Sequence, residues 1–431
     1  MRGWCVLAIA LAACGDEPDA LVDGMFTDAE WAQIQTFTPI GEPPPNPTNR
    51  YADDERAARF GQRLFNEKRY SGPLAVASDL GEVGETGKIA CASCHRPNAF
   101  FTDTRSDNAK SFGAARTRRN APSLVNVVFY EWGNWGGAHD QFWKQAANSP
   151  ETSDNTAGTR LAFAHVVYDH YRDAYNELFP IPLDPALDSH APDAARFPRS
   201  GKPKPNGAPD GPWESMTPED REIVNTIMAN CGKSIEAYER RLISRNAPFD
   251  RYVAGDPTAI TAAAKRGLAL FIGKAACDEC HTGPTFTDQA FHVTGVVQTI
   301  DPIDNGRYDD IVRVDNTFNG AGPYSDDPVA GAAKIANLVQ TEDLKGRFRT
   351  KSLRHLTETA PYFHDGSAAT LDDVVRFYNQ GGGEAGFAGV KDPRMVPIGL
   401  SESEIADLVA FLESLTGEPV TAELARDTSA P

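Results

Sequence analysis

Two five-residue strings constrain this chain more than anything else in it: Cys91-Ala92-Ser93-Cys94-His95 and Cys277-Asp278-Glu279-Cys280-His281. Two thiols three positions apart can add to the two vinyl groups of one haem, and the adjacent histidine then reaches the iron from one side. A zinc site would want four clustered ligands, and no second Cys/His pair lies near either string. A redox dithiol has no need of the histidine. Each string is therefore read as the attachment site of one haem c. Cys91, Cys94, Cys277 and Cys280 are the expected thioether cysteines, and His95 and His281 the expected axial ligands. Wrapping a haem twice calls for short helices and connecting segments. The expected fold is mainly α, with two tandem cytochrome-c-like haem domains and long loops.

The other cysteines fit an exported chain better than a disulfide scaffold. Arg2 is a short positive region, Trp4 to Ala10 is apolar, and Leu11-Ala12-Ala13-Cys14 closes the stretch. That run is too short to span a bilayer but suits an export signal. Its ending resembles a bacterial lipoprotein signal, which makes Cys14 the expected lipidation site. An ordinary cleaved signal with an incidental cysteine is the alternative. Either way the expected location is periplasmic or outward-facing, with membrane contact only through the lipid. Cys231 lies among Ile223, Val224, Ile227 and Met228 at helical spacing and reads as a buried apolar thiol. The formal charge of −18 argues against nucleic acid as a partner. It would suit a basic soluble protein such as a small cationic cytochrome, although many exported proteins are acidic without one.

The surroundings of the two strings repeat. Gly61-Gln62-Arg63-Leu64-Phe65 precedes the first and Phe101-Thr102-Asp103 follows it. Gly267-Leu268-Ala269-Leu270-Phe271 and Phe286-Thr287-Asp288 stand in the same places around the second, and Pro122-Ser123-Leu124 is echoed by Lys351-Ser352-Leu353. A duplicated unit divides the chain as follows: a signal over 1–14, a flexible Pro-rich tether over 15–48, haem domains over 49–252 and 253–418, and a tail over 419–431. Thr217-Pro218 and Ser401-x-x-Glu404 predict the starts of two long helices. The stretch 182–213, rich in Pro, Asp and Gly, reads as a surface insertion.

Residues 55 to 418 resemble the bacterial di-haem cytochrome c peroxidases, including the MauG-like branch. The anchors, in order, are the two haem strings, Arg119-Asn120-Ala121-Pro122-Ser123-Leu124-Val125-Asn126, Trp135, Gln145-Ala146, Ala237 to Leu242, Thr359-Ala360-Pro361-Tyr362-Phe363-His364-Asp365-Gly366, and Ala410 to Gly417. The resemblance implies that hydrogen peroxide reacts at the first haem. Electrons enter at the second from a small donor, a cytochrome c or a cupredoxin. It further implies an inter-haem tryptophan, matched by Trp135, and a calcium ion held by Asn120 and the backbone oxygens of Thr359 and Pro361. Asn120 as a turn residue and Trp135 as core packing are the plain alternatives. A homodimer is left open.

Axial ligation separates the branches. Peroxidases proper usually carry methionine as the far ligand of the second iron, whereas the MauG branch carries tyrosine. Here Tyr378 stands at that position, on a helix face with Leu371, Val374 and Val375. Phenolate, a hard anionic donor, favours ferric and higher states. Met395 as ligand, or an open site, is the alternative.

At the first iron two departures stand out. No histidine occurs between His95 and His139, so the iron is expected to be open without reductive activation. The family's acid–base glutamate falls, counted from Trp135 and Gln145, on Asn155, whose amide cannot relay a proton. Gln145 is retained, and Glu151 or Asp154 lie close enough in sequence to substitute. His139 itself, with His165, His170, His190, His292 and His355, reads as a surface or packing residue. Three functions follow: a peroxidase fed by a small redox protein; a MauG-like enzyme that uses peroxide to oxidise a protein substrate; or a non-catalytic electron-transfer protein.

Overall fold

The computed structural model describes residues 21–105 and 111–431; their regular structure is almost all helical, set among long connecting segments. Cys14, the signal and the start of the expected tether lie outside the described residues. The only sheet among the described residues pairs Phe291–His292 with Phe348–Arg349. No described helix is long and apolar enough to cross a membrane.

Each half is organised around a crossing of two helices at a glycine. The Glu55–Phe65 helix crosses Pro218–Glu239, and Gly61 lies so close to the Ser234 carbonyl that a Cβ would overlap it. The Ala262–Ile272 helix crosses Glu402–Glu413 with Gly267 against the Asp407 carbonyl in the same way. These are the glycines of the repeated strings. Their partner helices start as the sequence predicts. Thr217 accepts from the Asp220 N–H with Pro218 in the first turn, and Ser401 and Glu404 form a capping box.

Two main hydrophobic cores result among the described residues. One gathers Phe60, Phe65, Phe101, Trp143, Tyr238 and Leu242, and the other Phe249, Phe271, Phe286, Leu408 and Phe411. Between Leu242 and Phe249 the chain passes from the first core to the second, and Phe318 returns to the first. A pseudo-symmetric pair closes the seam: Asn126 and His355 hold the same place in the repeated strings. Both are in the left-handed region, at φ 61° and 67°, and the Asn126 amide meets His355 Nε2 at 3.0 Å.

The expected tether is corrected from residue 21 onward. The Asp28–Gln35 helix and its flanks bury Phe26, Ile34 and Phe37 in the second core, where Phe37 stacks on Phe286 at 5.0 Å between ring centres. Asn46 and Asn49 donate to the Glu236 carboxylate at 2.6 and 2.9 Å. Three large apolar side chains spaced along a Pro- and Asp-rich segment suffice to dock it, and composition averages them away. The C-terminal tail docks too, on the opposite half. Tyr238 Oη donates to the Leu424 carbonyl at 2.6 Å and Gln62 Nε2 to that of Glu423 at 2.8 Å. The insertion over 182–213 is likewise anchored, through Leu183, Leu187, Phe197 and Trp213 in the first core.

Candidate functional site

The Cys91–Cys94 turn delivers His95 with its ring already oriented. Nδ1–H donates to the carbonyls of Phe101 and Pro122, both at 3.1 Å. In the second loop His281 Nδ1–H donates to the Phe286 carbonyl at 2.9 Å. The repeated Phe-Thr-Asp strings thereby acquire a role that sequence reasoning saw only as a repeat. Phe101 and Phe286 sit at φ 55° and 53°. A left-handed phenylalanine costs about 1–2 kcal/mol, and it turns the carbonyl toward the imidazole. The following threonines fix the turn: Thr102 Oγ1 donates to the Ala121 carbonyl and Thr287 Oγ1 to that of Thr350, each at 2.7 Å. With Nδ1–H committed, Nε2 of each ring is the nitrogen free to bind a metal.

None of the four motif thiols is in a disulfide. Burial pushes Cys91, Cys94 and Cys277 up to about 12 and Cys280 up to about 11, so none is a ready thiolate. A thioether carries no charge to desolvate, so these buried positions suit it. Two tautomer-fixed histidines, each next to a pair of unbridged apolar thiols, fit covalently held haem.

Beside the first loop opens a cavity of about 580 Å³, lined by Cys91, Cys94, His95, Trp135, His139 and Gln145. That volume is within the usual range for a cofactor and its substrate. Glu151 and Asn155 also line it. Glu151 is fully engaged: its Oε1 accepts from Arg160 Nε at 2.9 Å and its Oε2 from Arg160 Nη2 at 2.6 Å. Asn155 is held through its backbone, its carbonyl accepting from the Ala114 N–H at 2.6 Å. His139 was missed as a cavity residue, because a lone histidine outside any motif gives no periodic or spacing signal.

The two loops are joined through Asn120 and Trp135. Trp135 Nε1 donates to the Asn120 carbonyl at 2.8 Å, and the Asn120 N–H donates to the His364 carbonyl at 2.8 Å. Asn120 Nδ2 donates to the Pro361 carbonyl at 3.0 Å. Asn120 and Pro361, two of the three expected calcium ligands, are therefore brought together, with Thr359 two residues upstream. Half a turn of the Asn120 amide would face Oδ1 to the Pro361 oxygen, a pairing that a hard cation favours. Lys351 spans the remaining gap. Its Nζ lies 4.7 Å from the centre of the Trp135 ring, and its carbonyl faces His281.

Tyr378 is on the Leu371–Asn379 helix, whose Leu371 and Val375 are buried in the second core. Its phenol lies close enough to Cys277 and Cys280 for both to act on it, and burial raises its pKa above the ordinary tyrosine value. Met395 packs against Gly382.

Two oriented Cys-x-x-Cys-His loops, joined through one tryptophan, define a protein built to carry two c-type haems. The family model for di-haem cytochrome c peroxidases matches residues 55–258. A cytochrome-c peroxidase, IdrP1, of Denitromonas iodatirespirans is 31% identical over 393 residues, covering 88% of this chain and 87% of its own. The methylamine utilization protein MauG of Methylorubrum extorquens is 28% identical over 97% of this chain and 94% of its own. Among solved structures, a MauG-like protein associated with microbial copper homeostasis superposes with a TM-score of 0.62 at 24% identity, over 90% of this chain and 98% of its own. The chain belongs to the di-haem cytochrome c peroxidase family and is an oxidoreductase of that type.

Proposed function

We propose that the protein is a periplasmic peroxidase, anchored through a lipid on Cys14, that reduces hydrogen peroxide with electrons from a small soluble redox protein. Cys91 and Cys94 would hold one haem with His95 on its iron. Cys277 and Cys280 would hold the other between His281 and Tyr378. The haems, when bound, supply the electron storage and the metal on which peroxide reacts. The observation that carries the reading is the cavity in which His95 and Gln145 share one wall system with Trp135, the residue leading to the second loop.

Within that cavity Gln145 offers an amide that can hold peroxide by both donating and accepting hydrogen bonds. Glu151, with both oxygens on Arg160, braces the wall and keeps that cation paired. Asn155 can orient a substrate but not move its proton. Asn120, Pro361 and Thr359 would hold a calcium ion where the halves meet, stiffening the contact to Trp135. The acidic chain, at −18, would draw a cationic donor by long-range attraction that weakens with salt.

The test is steady-state turnover. Haem-matured protein should oxidise a reduced, basic cytochrome c catalytically on adding peroxide, at a rate that falls as ionic strength rises. No turnover with any small donor, despite reaction with peroxide, would favour the second reading, a MauG-like enzyme that oxidises a protein residue. The phenol of Tyr378 beside the second pair of thiols supports that alternative. Such a ligand stabilises oxidised iron and lets the second haem share an oxidising equivalent.

A further inference from the structure

His139 lies in the wall of the first cavity, only 9% exposed. Among the described residues its Nδ1 is buried and has no hydrogen-bond partner. It adjoins Gln145 across Gly133: a Cβ placed on that glycine would press on Gln145 Oε1 and lie 3.1 Å from His139 Cβ. A buried polar group without a partner is disfavoured by about 1–3 kcal/mol, so a ring carrying one in the wall of the cavity asks for a reason.

From this geometry we infer that His139 is the proton-transfer residue of the peroxide site, in the role for which Asn155 is chemically unfit. The inference rests on the peroxidase reading above. Peroxide held by Gln145 would give the proton of its nearer oxygen to the imidazole. The imidazole would pass it to the farther oxygen as the O–O bond breaks heterolytically. The bonding pair and the proton leave with that oxygen as water, and the two electrons needed come from the haem centres, which the protein's reductant refills. One ring nitrogen that accepts and then gives suffices for this shift.

Two further features separate His139 from an iron ligand and suit it to this task. Both axial histidines have Nδ1–H seated on a backbone carbonyl, the arrangement that metal-binding imidazoles require. His139 lacks any such acceptor. Burial, with the cations of Lys144 and Arg313 near it, holds the ring well below the usual histidine range. It therefore starts neutral, with a lone pair available, and gives the proton back readily once charged.

The test uses the full haem-loaded chain with His139→Gln, an amide that cannot relay a proton, and His139→Glu, a carboxylate that can. One readout is the single-turnover reaction with peroxide. The other is the association rate of cyanide with the ferric protein, which involves no turnover but requires hydrogen cyanide to lose its proton. His139→Gln should slow the first by roughly 100- to 10,000-fold and the second by at least about tenfold, with partial recovery of both in His139→Glu. Unchanged rates in His139→Gln would overturn the inference. So would a resting spectrum that passes from six- to five-coordinate in that variant, which would make His139 an iron ligand. Should the glutamine variant lose its haem, the glutamate variant decides, since it must keep a rate well above that of peroxide with free ferric haem. If the unmodified protein ignores peroxide altogether, the peroxidase reading itself fails.

Discussion

In the proposed function single residues would set the chemistry of each iron, and Tyr378, buried beside Cys277 and Cys280, is the sharpest case. Its phenol can act as a hard anionic donor, and a thioether in its place would stabilise the reduced state. Tyr378→Met should raise the potential of the second haem by on the order of 0.1 V, within the span that axial ligands command. A spectroelectrochemical titration reads this directly, and an unshifted potential would remove Tyr378 from the iron. At the same scale the expected attachment cysteines and histidines stand out in the sequence, because two thiols must match the spacing of the haem vinyl groups. It conceals His139 and the engagement of Glu151. The first belongs to no motif. The second depends on Arg160, nine positions away, turning back onto it at 2.6 Å.

At the scale of elements, the duplicated strings are packing instructions. Gly61 and Gly267 let one helix press onto the backbone of another, against Ser234 and Asp407. Neither contact has room for a methyl group. Gly61→Ala and Gly267→Ala should each destabilise the protein by about 1–3 kcal/mol through overpacking, measured as a lower denaturation midpoint. A midpoint unchanged in both would mean that the crossings have room for a methyl group. Caps at Thr217 and Ser401 are readable in advance because side-chain oxygens at helix starts have a local cause. The docking of Phe26, Ile34 and Phe37 is not, since it depends on a surface built more than two hundred residues later. The left-handed Phe101 and Phe286 are also hidden, because nothing local favours them; the histidine they serve does.

Over the whole molecule, the halves are tied by a cluster of buried charge. Arg119 donates to both oxygens of Asp304 at 2.7 Å and to Asp310 at 2.5 Å. Asp304 is held down to about 2 from 3.8, with the Arg119 guanidinium overcoming the burial penalty. A carboxylate depressed on folding contributes stability above its unfolded value and loses it as pH falls through the folded one. Stability should therefore drop by about 2 kcal/mol between roughly pH 4 and pH 2, and Asp304→Asn should remove that dependence. Acid titration of the unfolding midpoint in both proteins checks it; parallel curves would exclude the Arg119–Asp304 tie as the source. The crossed ends serve the same purpose, with the N-terminal segment seated on the second half and the tail on the first.

In the proposed function peroxide would react at the iron of His95, and the oxidising equivalents would reach the centre of His281 and Tyr378 by way of Trp135. Rapid mixing of the fully haem-loaded protein with one equivalent of hydrogen peroxide, followed by absorbance, tests it most directly. The expected result is a fast change at a five-coordinate first haem, followed by a change at the second that Trp135→Phe delays. Two attached porphyrins whose spectra stay as they were would contradict it.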